Sequence, residues 1–306
     1  MCKAVSNREE KLHLRGWRVW WLAARPRTLP AAIVPVIVGS AAAARDGRLS
    51  WPVFAAALVA ALLLQVAANY ANDLFDYLKG ADHQRHGPLR VTQSGLATPR
   101  QMSLALSMVI GAAALLGLYL IGVGGWPIAL IGLASILGAI AYTAGPFPLA
   151  YHGLGDLAAF VFFGLVAVLG TAYLHAGAVS ATAILAALPV ALLVTAIIVV
   201  NNLRDIETDR QVRKLTLAVR IGDKNTRLEY SGLVLGAYLF PIGLSIITSI
   251  FPGWWWLPFI TLPFAIDLVR TVRGGQRGPA LNFTLARTAQ LHLYFGVLLA
   301  AALVLS

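Results

Sequence analysis

Two stretches of this 306-residue chain place carboxylates and amides where they can do chemistry. The first is Asn69-Tyr-Ala-Asn72-Asp73-Leu-Phe-Asp76, and the second is Asn201-Asn202-Leu-Arg204-Asp205-Ile-Glu-Thr-Asp209. On a helix, at about 100° per residue, Asn69, Asp73 and Asp76 share an arc of roughly 60°, and so do Asn202, Asp205 and Asp209. Each set is a carboxylate pair on one face with an amide one turn above. Converging carboxylates repel one another and need cations between them. Oxygen donors with no His or Cys nearby suit a hard ion, and Mg²⁺ is favoured where phosphates complete its shell. Basic residues follow each set at short range: Arg85 and Arg90 after the first, Lys214 and Arg220 after the second. Acids holding a metal, with Arg and Lys on the free oxygens, match a metal-bridged diphosphate. The plainer alternative is that the acids are solvated helix caps and the bases contact lipid headgroups and orient the chain.

The elements that carry these residues are membrane helices. The chain is 58% hydrophobic and 12% charged, with mean hydropathy +0.74. Soluble domains are about a quarter charged, so a soluble enzyme is excluded. The formal charge of +11 and a pI near 10.2 raise the possibility of nucleic-acid binding. The basic residues, however, fall in short breaks between long apolar runs, the pattern of a multi-pass membrane protein with basic loops. A single cysteine, Cys2, excludes an internal disulfide. The six histidines (13, 83, 86, 152, 175 and 292) show no metal-ligand spacing.

A crossing needs roughly 20 apolar helical residues. Nine candidate spans meet that need, at about 24–44, 52–77, 101–122, 126–143, 155–176, 181–203, 230–250, 254–272 and 286–305. All basic residues except Arg45 and Arg48 fall on the amino-terminal side of this arrangement, which makes that side cytoplasmic. Both acidic sets then lie at the cytoplasmic ends of spans two and six. The expected fold is one all-α membrane domain over 1–306, with a basic cytoplasmic segment at 1–20. Nine helices surround a central cavity, and the loops after spans two and six cap it.

At these residues the chain resembles the UbiA superfamily of membrane prenyltransferases, and within it the branch that prenylates 1,4-dihydroxy-2-naphthoate. The resemblance rests on Ala24-Arg-Pro-Arg27-Thr-Leu-Pro30, on both acidic stretches, and on Gly87-Pro-Leu-Arg90 with Gln93-Ser-Gly95. It rests also on Tyr142-Thr-Ala-Gly-Pro-Phe-Pro148 and Lys214-Leu-Thr-Leu-Ala-Val-Arg220. It implies Mg²⁺-dependent transfer of a polyprenyl group from its diphosphate to the aromatic ring, with loss of the ring carboxylate in menaquinone synthesis. The partners it implies are polyprenyl diphosphate, 1,4-dihydroxy-2-naphthoate and the bilayer of the cell membrane, with the site facing the cytoplasm.

Carried onto this sequence, the resemblance makes Asp73, Asp76, Asp205 and Asp209 the metal ligands. Asn69, Asn72, Arg27, Arg85, Arg90, Asn202, Lys214 and Arg220 then bind substrate. Tyr142 is either an aromatic face for the allylic cation or an interfacial belt residue. Asp156 either orients or deprotonates the acceptor hydroxyl, or caps its helix. One departure is that many superfamily members carry a further acid four residues after the position of Asp76. Here that place is Gly80, and Asp82 comes two residues later. The alternatives are another aromatic acceptor (4-hydroxybenzoate, homogentisate or a tetrapyrrole) or, from a different class, a membrane transporter.

Overall fold

The computed structural model describes residues 16–80, 87, 89–247 and 253–306, and among these it is helical with no strand. The helices are α1 (Trp17–Ala24), α2 (Pro30–Arg45), α3 (Trp51–Leu78), α4 (Pro99–Gly124), α5 (Trp126–Ala141), α6 (Gly155–Ala176), α7 (Ala181–Gln211), α8 (Leu217–Gly236), α9 (Leu239–Ile247), α10 (Trp254–Arg273) and α11 (Leu281–Leu305). Local sequence sets several of their starts. Pro99 opens α4 behind a reciprocal capping box between Thr98 and Gln101. The Ser180 hydroxyl accepts the Ala183 amide at the start of α7.

Seven helices are long and apolar enough to cross a membrane, and an eighth crossing exists if α1 and α2, bent by 56°, count as one. The bend falls within the expected 24–44 span. There Arg25 adopts φ 52°, and Pro26 and Pro30 have no amide hydrogen to continue the ladder. The expected 126–143 span is α5, only 16 residues long. At 1.5 Å per residue it is about 24 Å, short of a hydrocarbon core of about 30 Å. Two helices run further than hydropathy suggests. α7 continues to Gln211 rather than ending near 203, and the helix expected from 230 begins at Leu217, with a break at Gly222 (φ 80°). Both extensions are polar turns that an apolar count omits.

α7 is the central helix: 72% of its apolar window is buried, against 17% for the peripheral α4. Val34 of α2, Val168 of α6, Val190 and Leu193 of α7, and Phe295 of α11 belong to one apolar cluster. Small residues bring these backbones together. A Cβ at Gly164 would fall 2.2 Å from Ala191 Cβ, and one at Gly39 2.4 Å from the Val168 carbonyl oxygen. In lipid, helix association relies on this close packing, because apolar tails solvate Leu as well as a neighbouring helix does. Leu115, Leu118, Trp126 and Leu130 lie exposed on α4 and α5, the arrangement a lipid-facing surface requires. Gly164→Ala is expected to lower the unfolding temperature of the purified protein, at an overpacking cost of about 1–3 kcal/mol. Gly111→Ala, where nothing lies within 4 Å of the new Cβ, is expected to leave it unchanged.

Candidate active site

The ends of α3 and α7 meet the turns that follow them and the segment 142–156 between α5 and α6. Asp76 is the hub. Its carboxylate accepts Arg90 Nη2 at 2.9 Å and the Tyr151 hydroxyl at 2.9 Å, and Lys214 Nζ lies 3.7 Å away. Lys214 also lies 4.0 Å from Asp209. One ammonium therefore stands between a carboxylate of the first acidic set and one of the second.

The other two aspartates are turned to different partners. Both oxygens of Asp73, which is 1% exposed, accept backbone amides, from Val91 at 3.0 Å and Thr92 at 2.9 Å. Asp73 thus fixes the turn that carries Arg90. Asp205 is gripped at both oxygens by the neighbouring Arg204, whose Nη1 donates to Asn282 at 3.0 Å and Nη2 to Asn201 at 2.9 Å. Asn69, Asp73 and Asp76, which share one arc of α3, thus have different hydrogen-bond partners. Asn69 donates to the Ala24 carbonyl at 2.9 Å and the Thr28 hydroxyl at 3.1 Å, pinning the α1–α2 bend. Asn72, on the other flank of Asp76, accepts the Thr143 hydroxyl at 3.0 Å.

Deeper toward the bundle, Asn202 Nδ2 donates to Asp156 Oδ1 at 3.1 Å. The Tyr142 hydroxyl abuts Gly155, where a Cβ would lie 3.0 Å from it, and the charges of Asp156, Asp76 and Asp209 all act on it. Immediately after Asp156, residues Ala159–Val166 of α6 are wound as π-helix, a form often found beside functional sites. Of the remaining basic residues, Arg220 is exposed and lies over Gly153, with Nε donating to the Leu215 carbonyl at 3.1 Å. Arg27 is exposed in the turn between α1 and α2. Arg85, Asp82, His83 and His86 lie outside the described residues.

Three contributors do not stand out in the sequence. Lys79 donates to the Thr143 carbonyl at 2.6 Å and lies over the Tyr151 ring. Partial burial lowers its pKa from the ordinary lysine value, and the Asp76 carboxylate opposes that shift. Tyr151 and Thr143 flank it. The available signal for Lys79 was its place one helical turn beyond Asp76.

Apolar helices long enough to cross a membrane, with carboxylates, ammoniums and a tyrosine gathered where two of them end, define a multi-pass membrane protein with a charged site. The chain belongs to the UbiA prenyltransferase family, whose match covers residues 32–286. It is 41% identical over 285 residues to a 1,4-dihydroxy-2-naphthoate octaprenyltransferase of Mycobacterium tuberculosis, covering 93% of this chain and 96% of the relative. The protein of the same name from Mycobacterium leprae is 38% identical over 287 residues, covering 94% and 96%. Among solved structures, a UbiA homolog from Archaeoglobus fulgidus bound to GPP and Mg²⁺ shares the fold with TM-score 0.64 at 13% identity, covering 92% of this chain and 99% of that one.

The two roles of the first acidic set separate by hydrogen exchange. Asp73→Ala leaves two buried amides without acceptors, at about 1–3 kcal/mol each. The Val91 and Thr92 amides are expected to exchange faster in Asp73→Ala and to stay slow in Asp76→Ala.

Proposed function

We propose that the chain transfers a polyprenyl group from polyprenyl diphosphate to 1,4-dihydroxy-2-naphthoate, releasing diphosphate and CO₂ and giving the quinol form of demethylmenaquinone. The relatives' names and near-complete coverage support the reaction. The observation that carries the site is the convergence of Asp76 and Asp209, 133 positions apart in number (209 less 76), on one ammonium at 3.7 and 4.0 Å.

An all-oxygen locus that already attracts a cation fits Mg²⁺. Asp76 and Asp209 would hold it, together with Asp205, one helical turn from Asp209. Arg204 uses one lone pair on each Asp205 oxygen, and a carboxylate offers about four in all. Asp73 gives one lone pair on each oxygen to the Val91 and Thr92 amides, which fixes the loop, and by the same count keeps lone pairs with which it would join the metal. Bound there, the metal supplies Lewis-acid charge neutralisation to the departing diphosphate. Arg90, Lys214 and Lys79 face the same locus and take up further phosphate oxygens. As the allylic carbon–oxygen bond breaks, its electron pair leaves with the diphosphate. The ring carbon of the acceptor supplies the pair for the new carbon–carbon bond, and the ring–carboxylate bond then breaks, releasing CO₂ and returning its electron pair to the ring.

Tyr142 presents its ring to the developing cation, in a pocket whose helical walls keep water out. Asp156, oriented by Asn202, accepts a hydrogen bond from an acceptor hydroxyl and raises the electron density of the ring. Arg27 and Arg220 sit at the rim, where they meet the anionic substrates or lipid headgroups. In this reading nine helices cross the cell membrane with the amino terminus in the cytoplasm, the short α5 being accommodated by local thinning of the bilayer. The site opens to the cytoplasm under the loops after α3 and α7.

Purified protein given labelled polyprenyl diphosphate and 1,4-dihydroxy-2-naphthoate is expected to form a lipophilic product lacking the carboxylate, only when Mg²⁺ is present. Product from 4-hydroxybenzoate but none from the naphthoate would contradict the acceptor assignment. Asp76→Ala and Asp209→Ala are each expected to lower the rate by about 100-fold or more. Asp156→Asn is expected to act on the rate with saturating naphthoate while leaving the KM for polyprenyl diphosphate near its original value.

A further inference from the structure

Tyr151 lies in the short turn of helix Leu149–His152 that joins α5 to α6. That turn is held on several sides. The Ala150 amide donates to the Tyr142 carbonyl at 3.0 Å and the Leu154 amide to the Leu149 carbonyl at 3.0 Å. Phe147 stacks on His152 with ring centroids 3.8 Å apart. The Tyr151 ring is thus carried on a fixed platform rather than a free loop. Its hydroxyl donates to Asp76 Oδ1 at 2.9 Å, while Lys79 Nζ lies 4.5 Å and Lys214 Nζ 5.3 Å from its centroid.

Those two lysines come from different helix ends, Lys79 just after α3 and Lys214 after α7. Two ammoniums drawn to one place repel, and each rides on a flexible four-carbon stem. An aromatic face attracts both without neutralising either.

We propose that Tyr151 is a positioning residue for the leaving diphosphate: its ring seats the Lys79 and Lys214 ammoniums together while its hydroxyl holds Asp76. One side chain then sets the spacing between a metal-holding carboxylate and two phosphate-holding cations, and Lys79 joins the diphosphate site. This inference rests on the reading of the site as a prenyl diphosphate site.

The test uses the full-length protein with Tyr151→Phe, Tyr151→Leu and Lys79→Met. It measures calorimetric binding of inorganic pyrophosphate with Mg²⁺, and the KM for each substrate. Tyr151→Leu and Lys79→Met are expected to weaken pyrophosphate binding and raise the KM for polyprenyl diphosphate by about tenfold. The KM for the naphthoate should stay put. Tyr151→Phe keeps the ring and is expected to restore pyrophosphate binding to near the original value, while needing more Mg²⁺ for half-maximal rate. Equal losses in Tyr151→Phe and Tyr151→Leu would overturn the role of the ring. Unchanged pyrophosphate binding in Lys79→Met would overturn the assignment of Lys79, and this variant carries the comparison if Tyr151→Leu folds poorly. Pyrophosphate binding that follows the expected order in a protein inactive on the naphthoate would support this inference and contradict the proposed acceptor.

Discussion

A carboxylate at the end of an apolar helix cannot be left without compensation. Even on the mild insertion scale an acid within the membrane costs about 2.5–3.5 kcal/mol, and removing the partner of a buried charge costs about 3–5 kcal/mol. Each acid at this mouth is therefore tied to something specific. Asp73 has two backbone amides, Asp76 has Arg90, Tyr151 and Lys214, Asp205 has Arg204, and Asp156 has Asn202. These ties decide which acids are held rigid and which can move. An aspartate held by amides or by a buried guanidinium is fixed in place. One held partly by the long stem of Lys214 can accept a different cation.

The rest of the fold serves that arrangement. α3 and α7 must end at the same level for Asp76 and Asp209 to share Lys214, and the close contacts at Gly39 and Gly164 hold α2 and α6 in the bundle around α7. The same packing puts Asn202 beside Asp156, one step further in along α7. Polar groups at the mouth and apolar walls behind them suit a substrate with a diphosphate head and a hydrocarbon tail. The shared fold of the Archaeoglobus fulgidus homolog, at 13% identity, shows how little of this architecture depends on particular side chains outside the site.

Much of this was legible in the residues. Apolar runs located the helices, and the Asn-Asp sets marked the two ends that matter. What the spacing did not resolve was direction. An arc of roughly 60° takes in two different neighbours of a packed helix, so Asn69 bonds to the α1–α2 bend and Asp73 to the Val91–Thr92 turn while Asp76 bonds to Arg90 and Tyr151. That outcome depends on where a loop folds back, which no local pattern encodes. Arg204 reads in the sequence as one more cytoplasmic loop charge, yet it lies buried at 2% exposure because α7 runs on past its apolar stretch. Tyr151 and Lys79 were obscured for a related reason. Their role arises only when the 142–156 segment is laid against the end of α3.

The central claim is that Asp76 and Asp209, from two separate helices, hold one divalent ion with the diphosphate. Electron paramagnetic resonance of Mn²⁺, titrated into the protein with an unreactive prenyl thiodiphosphate, tests it without turnover. The account predicts a bound Mn²⁺ signal in the original protein. It predicts loss of that signal in both Asp76→Ala and Asp209→Ala, and its retention in Asp267→Ala, where the acid pairs with Arg287 outside the site. A full signal in either of the first two variants would contradict a shared metal locus.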